Sequence, residues 1–281
     1  MRLPALRSFR KAWAFVWKDF LVEVSYKSAF LLHVGGVVFS VGLWFFFSGF
    51  LQEHMKEKLE VLTGGNLFAF ILLGVAPYSY QQVSLTAFGR RFREEQVTGT
   101  LEAMLVCPTR TPLVIFGSAL FDFLFTSVRV VLYIAVGIGF SYMTARPIAL
   151  HASGFLAAIV IFTLMVLTSV GIGIMAAAFV MYFKKGDVLV AFISSASALL
   201  GGVFFPTQAL PAAVQPFTRL LPISWTTDGV RRALLTGDGV RELLPHIEIL
   251  FLFAAVLLPL GLWIFRIALR AARRDGTLVQ Y

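Results

Sequence analysis

Six stretches of this chain run for about twenty residues or more with almost no charge, which excludes an ordinary soluble domain. They cover approximately Ser28–Leu51, Leu67–Phe88, Leu113–Met143, Ala152–Phe183, Val188–Phe205 and Ile249–Phe265. A helix adds ~1.5 Å per residue, so roughly 20 apolar residues cross a hydrocarbon layer of about 30 Å. Only 14% of the residues are charged, whereas a soluble domain carries about a quarter. No polar–apolar alternation suggests a membrane β-barrel. The expected fold is an all-α membrane protein with six transmembrane helices over residues 28–265.

Residues 1–27 lack the apolar core of a signal peptide, so cleavage is not expected. Phe9, Trp13, Trp17 and Phe20 recur at helical spacing, with Arg7, Lys11 and Lys18 on the opposite side. Such a helix lies along a membrane surface or packs on a partner protein. With six spans, both termini fall on one side of the membrane. That side collects sixteen of the 24 lysines and arginines, the other side seven, and Arg129 lies within a span. The positive-inside rule then places both termini, including a short tail over 266–281, in the cytoplasm. This asymmetry and anionic lipid explain the net charge of +9 without a nucleic-acid partner.

Several chemistries are missing. The single cysteine, Cys107, permits neither an internal disulfide nor a cysteine metal site. No Gly-Lys dipeptide is present, so no Walker A loop can hold a nucleotide. His33, His54, His151 and His246 lack metal-ligand spacing, and His33 reads as a packing or interfacial residue. Gly171, Gly173 and Ala176 match a dinucleotide string but sit mid-span, where close helix packing or chance accounts for them. For an intramembrane protease, Ser169, Ser194, Ser195 and Ser197 lack a glycine-flanked context and a deep histidine. Ser194, Ala198 and Gly202 form instead a small-residue stripe suited to helix packing. Glu94-Glu95 opens a prenyl-protease pattern, but Gly99 stands where its arginine belongs. Neither a catalytic centre nor a directly bound cofactor or metal is expected.

Two segments carry information. In the loop 89–112, five charges fall within residues 90–95, and a short helix-like run follows. Thr98 can cap that run with Glu102 reaching back, and Leu101, Met104 and Leu105 form an apolar edge before Pro108. Such a helix suits insertion into a partner's groove, and the bland reading is a basic loop anchoring two spans. The second segment, residues 206–237, contains Phe205-Pro206, Leu210-Pro211, Leu221-Pro222 and Gly229-Val230-Arg231 at or just before its start and along its length. It is too apolar for a solvated loop and too broken by proline for another span, so short re-entrant or surface-lying helices are expected. Within the third span, Asp122 and Arg129 lie seven residues apart, ~10 Å along one helix face. They read as a structural pair, as a snorkelling arginine, or as a contact for an anionic head group. The 29 phenylalanines read as lipid-facing or packing rings rather than a cargo path.

Taken in order, three features resemble the membrane permease subunit of an ABC-2 type transporter. They are the basic aromatic N-terminal helix, the Glu94-Glu95 … Gly99-Thr100-Leu101-Glu102 … Thr111-Pro112 loop, and the Phe205-Pro206 … Leu210-Pro211 … Leu221-Pro222 … Gly229-Val230-Arg231 … Gly237 segment. The resemblance implies six helices per subunit and two subunits, identical or related, that form the translocation path of an exporter in the bacterial inner membrane. It implies a separate ABC ATPase beneath, which binds ATP and magnesium. Phe9, Trp13, Trp17 and Phe20 would belong to the interface helix, and residues Glu94 to Leu105 to the coupling helix. Drugs, lipids and lipid-linked glycans are the implied cargoes. A secondary transporter or a channel is the alternative, but no inverted repeat and no polar ring supports either.

Overall fold

The computed structural model describes residues 27–54, 66–97, 111–142, 148–183 and 187–274, together with residues 17, 20, 21 and 25. Among them the regular structure is helical throughout. The principal helices are α1 (Lys27–His54), α2 (Leu67–Val97), α3 (Thr111–Ser141), α4 (Phe155–Phe183), α5 (Asp187–Leu200), α6 (Pro222–Arg231) and α7 (Leu244–Arg274). Short turns of helix at Ala152–Gly154, Thr207–Ala209, Gln215–Thr218 and Arg232–Thr236 join them, all at one end of the bundle.

Four stretches are long and apolar enough to cross a membrane: Leu31–Leu51, Ala119–Ser141, Ala152–Met181 and Leu244–Ala271. The other two expected spans differ from these for separate reasons. α2 is long, but Tyr78, Ser79, Tyr80, Gln81 and Gln82 interrupt its apolar character. α5 has 14 residues, ~21 Å of rise. It ends at Leu200 rather than at Phe205, because Gly202 takes a left-handed φ of 67°. Glycine adopts that conformation without a Cβ penalty and so terminates a helix there.

Helix α2 is the hub, packed against α1, α3, α4, α5 and α6. Its first seven residues, Leu67 to Leu73, are all buried, as a helix apolar on every side must be. α4 packs along both α2 and α7, and two glycines make this possible. A Cβ on Gly171 would lie 2.7 Å from the Leu257 backbone of α7, and one on Gly173 would lie 2.0 Å from the Ser84 carbonyl oxygen of α2. The glycine string thus serves helix packing, where backbones approach because no side chain separates them.

Hydroxyl groups inside the helices are satisfied locally. Ser79, Ser84, Thr126, Ser127 and Thr168 each donate to the carbonyl four residues earlier, so they need no water at membrane depth. Helices also outrun their apolar cores. α2 continues through the charged residues to Val97, and α7 through Arg274, so the expected loop from 89 and tail from 266 both begin as helix. Arginine, glutamate and glutamine are good helix formers, which lets a span extend into water.

Candidate functional site

At one end of the bundle, residues 201–243 fold into a compact cap. Its centre is Arg231, the last residue of α6. The side chain is buried and donates three hydrogen bonds to backbone carbonyls: Nε to Phe70 at 3.0 Å, Nη1 to Gly202 at 2.7 Å and Nη2 to Val203 at 2.8 Å. Its guanidinium carbon also lies 3.4 Å from the centre of the Phe70 ring. One side chain therefore joins α6, the start of α2 and the turn after α5. The Gly202–Val203 carbonyls are available because α5 has stopped, and the planar fork of arginine meets both.

The cradle depends on Gly74, where an added Cβ would lie 2.2 Å from Arg231 Nη2 and 2.3 Å from the Val203 carbonyl oxygen. Thr227 reinforces it by donating to the Gly201 carbonyl at 2.9 Å. Nearby, His246 Nε2 on α7 lies 2.8 Å from Asp228 Oδ2 on α6, and Trp225 packs edge-on against the imidazole at 5.5 Å. Trp225 Nε1 donates to the Arg219 carbonyl at 2.9 Å. An open polar cavity of about 300 Å³ lies among these residues. The next residue, Arg232, points away and pairs with Asp238 at 2.7 Å. Hydrogen bonds from Thr236 and then Arg232 hold the half-buried Asp238 carboxyl below the usual carboxylate range.

A polar seam ties α2 to α5. Gln81 Nε2 donates to Ser197 Oγ at 2.8 Å, Ser194 Oγ donates to Gln82 Oε1 at 2.6 Å, and Gln82 Nε2 donates to the Tyr78 hydroxyl. The serine stripe is thus a packing surface that also bonds across the helices, with Ser194 and Ser197 buried.

The cap keeps Phe205, Pro211 and Leu210 near its surface, whereas Pro206 and Arg231 are buried. Pro222 opens α6, where its missing N–H is no loss. Glu94 and Glu95 lie on the last turns of α2, not in a separate loop. Gly99, Thr100, Leu101, Glu102, Met104 and Leu105 fall outside the described residues, as do Phe9, Trp13 and Thr98. Trp17 and Phe20 are helical, exposed and stacked, with ring centres 5.6 Å apart. Asp122 and Arg129 are not brought together. Asp122 instead accepts from Arg90 of α2 at 2.9 Å, while the Arg129 guanidinium carbon lies 5.8 Å from the Phe125 ring. The two share a face of α3 but are ~10 Å apart along it, and Asp122 lies level with the charged end of α2, where Arg90 is at hand.

Sequence reasoning singled out Arg231 only as part of a pattern, took Arg90 only as part of a charge run, weighed His246 only as a metal ligand and did not assign a role to Phe70, Gly74, Gln81, Gln82 or Asp228. The adjacent Gln81-Gln82 inside a span was the visible signal, because amides in hydrocarbon need partners.

The family model described as ABC-2 type transporter matches residues 10–235, which takes in most of the N-terminal segment, the hub helix and most of the cap. The chain belongs to the ABC-2 type transporter family. It is also 31% identical over 106 residues to a linearmycin resistance permease protein of Bacillus subtilis (strain 168). That match covers 38% of this chain and 28% of the relative's length. Together with its long apolar helices, the family makes this ABC-2 protein an integral membrane protein.

Proposed function

We propose that this ABC-2 permease is half of an ATP-driven exporter. All six expected helices would cross the bacterial inner membrane with both termini in the cytoplasm, and the cap at residues 201–243 would re-enter from outside. A second permease chain completes the path, and a separate ABC ATPase binds ATP and magnesium beneath it. The interface helix around Trp13 and Trp17 and the segment from Glu94 to Leu105 would receive that ATPase.

One observation carries the reading: a single helix connects both working ends. α2 holds Glu94 and Glu95 on its last turns, and its Phe70 carbonyl accepts from Arg231 in the cap. These points are 24 residues apart along a helix, ~36 Å of rise. Closure of the ATPase dimer would move the coupling segment, tilt α2 and shift the cap against α5. ATP binding then biases an equilibrium between states open to either side. A relative named for linearmycin resistance supports a drug cargo, with lipids and lipid-linked glycans retained as alternatives.

The decisive experiment reconstitutes the chain with the ATPase that co-purifies with it. Gly99→Trp and Glu102→Arg should uncouple ATP hydrolysis from transport while leaving the melting temperature unchanged. Normal coupling in both variants would remove the coupling assignment, and uphill transport by this chain alone would remove the ATPase from the mechanism.

A further inference from the structure

A second cavity, of about 330 Å³, opens between α1, α2 and α3, within the size range of small-molecule sites. His33 and Ser40 of α1, Ser79 of α2 and Arg129 and Tyr133 of α3 line it. Arg129 lies ten residues from one end of the apolar stretch Ala119–Ser141 and twelve from the other. That is ~15 and ~18 Å of helix rise, too far for its head to snorkel to either surface. Among the described residues, no carboxylate pairs with it. The nearest acid along its helix, Asp122, is a further ~10 Å away and is held by Arg90.

A cation at that depth needs an anion, and the cavity supplies more than the charge. Tyr133 is only 6% exposed and its hydroxyl has no partner among the described residues, so a buried donor waits in the same wall. Phe125 stands between the His33 ring, at 5.7 Å, and the Arg129 guanidinium, at 5.8 Å. The lining is otherwise apolar, with Val37, Val75 and Val130 in the wall and the exposed Leu32 at the rim. A soluble anion gains nothing from such a rim, whereas an amphiphile places its head on the guanidinium and its chains along the leucine and valines.

The geometry points to a binding site for the anionic head group of a membrane amphiphile, formed by Arg129 and Tyr133 in the α1–α2–α3 cavity. Arginine suits phosphate because its planar fork donates two parallel hydrogen bonds. The site does not depend on the direction of transport or on the ATPase.

The test uses the full chain reconstituted in vesicles of equal phosphatidylglycerol and phosphatidylcholine, then extracted in detergent for native mass spectrometry of retained lipid. Phosphatidylglycerol should be retained about tenfold over phosphatidylcholine. Arg129→Gln should bring that ratio close to one, Arg129→Lys should keep part of it, and Tyr133→Phe should lower it about threefold. Unchanged elution and melting of each variant establish that the fold is intact. Equal retention of the two lipids by the parent chain overturns the proposal, as does an undiminished preference in Arg129→Gln. Complete displacement by inorganic phosphate alone also overturns it, since the ligand would then be a free anion. If Arg129→Gln instead abolishes self-association and leaves lipid retention intact, the anion belongs to a second copy of the chain and the proposal fails.

Discussion

Two arginines sit in apolar surroundings in this permease, and their neighbourhoods differ completely. Arg231 bonds through each of its three guanidinium nitrogens to a backbone carbonyl and stacks on a ring, although it also borders the cap cavity. Among the described residues Arg129 has a ring at 5.8 Å and lines the α1–α2–α3 cavity. A buried charge whose three nitrogens are each engaged is structural, because moving any partner leaves an uncompensated group. A deep charge with spare donors is stable only when something else arrives. The same residue type therefore marks a lock in the cap and a receptor in the α1–α2–α3 cleft.

Removing the lock should give the largest effect. Arg231→Ala should destabilise the protein by about 3–5 kcal/mol, seen as a large fall in the melting temperature of the detergent-solubilised chain. Arg231→Lys should recover only part, because an ammonium cannot span the Gly202 and Val203 carbonyls as a fork does. If Arg231→Ala melted like the parent, the contrast between the two arginines would collapse. Next comes Gly74→Ala, which adds a methyl into the same cradle and should cost about 1–3 kcal/mol through overpacking. Combining it with Arg231→Ala should give less than the sum, since the clash with the guanidinium is then gone.

Smaller effects sharpen the comparison. Ser194→Ala should cost about 0.6–1.7 kcal/mol, the range of hydrogen bonds between membrane helices, with a matching loss in Gln82→Leu. A double variant that behaves like either single one would show that the two residues act as one contact. Asp238→Asn should fall within about 0.5 kcal/mol of the parent by thermal denaturation. Its partner Arg232 follows Arg231 directly in the chain, yet the bridge is partly solvent-exposed and screened. A large loss there would mean that the cap's stability is not concentrated at Arg231.

Much of the fold was legible because hydrocarbon imposes a simple code. Twenty apolar residues without charge can do little but form a helix across it, and the starts and ends of α1 and α3 lie within a few residues of where hydropathy places them. Legibility failed where helices are not defined by apolarity. α2 runs on past Phe88 because charged residues favour helix in water, and α5 stops early because of one left-handed glycine. The pairing of Asp122 with Arg90 was hidden because the helix-face argument considered only partners on the same helix.

The sequence by itself determined that the chain is a bundle of apolar helices, carries no nucleotide loop and resembles the ABC-2 permeases. Those properties depend on local composition and on spacing along the chain. Only the tertiary structure decided which arginine is a lock, which is left open, and which helix connects the cap to the charged end. Arg231 and Phe70 are 161 residues apart, and their contact depends on where α5 ends and on Gly74 leaving room. No periodicity records such a meeting, because hydrogen bonds act over about 3 Å in space whatever the distance along the chain.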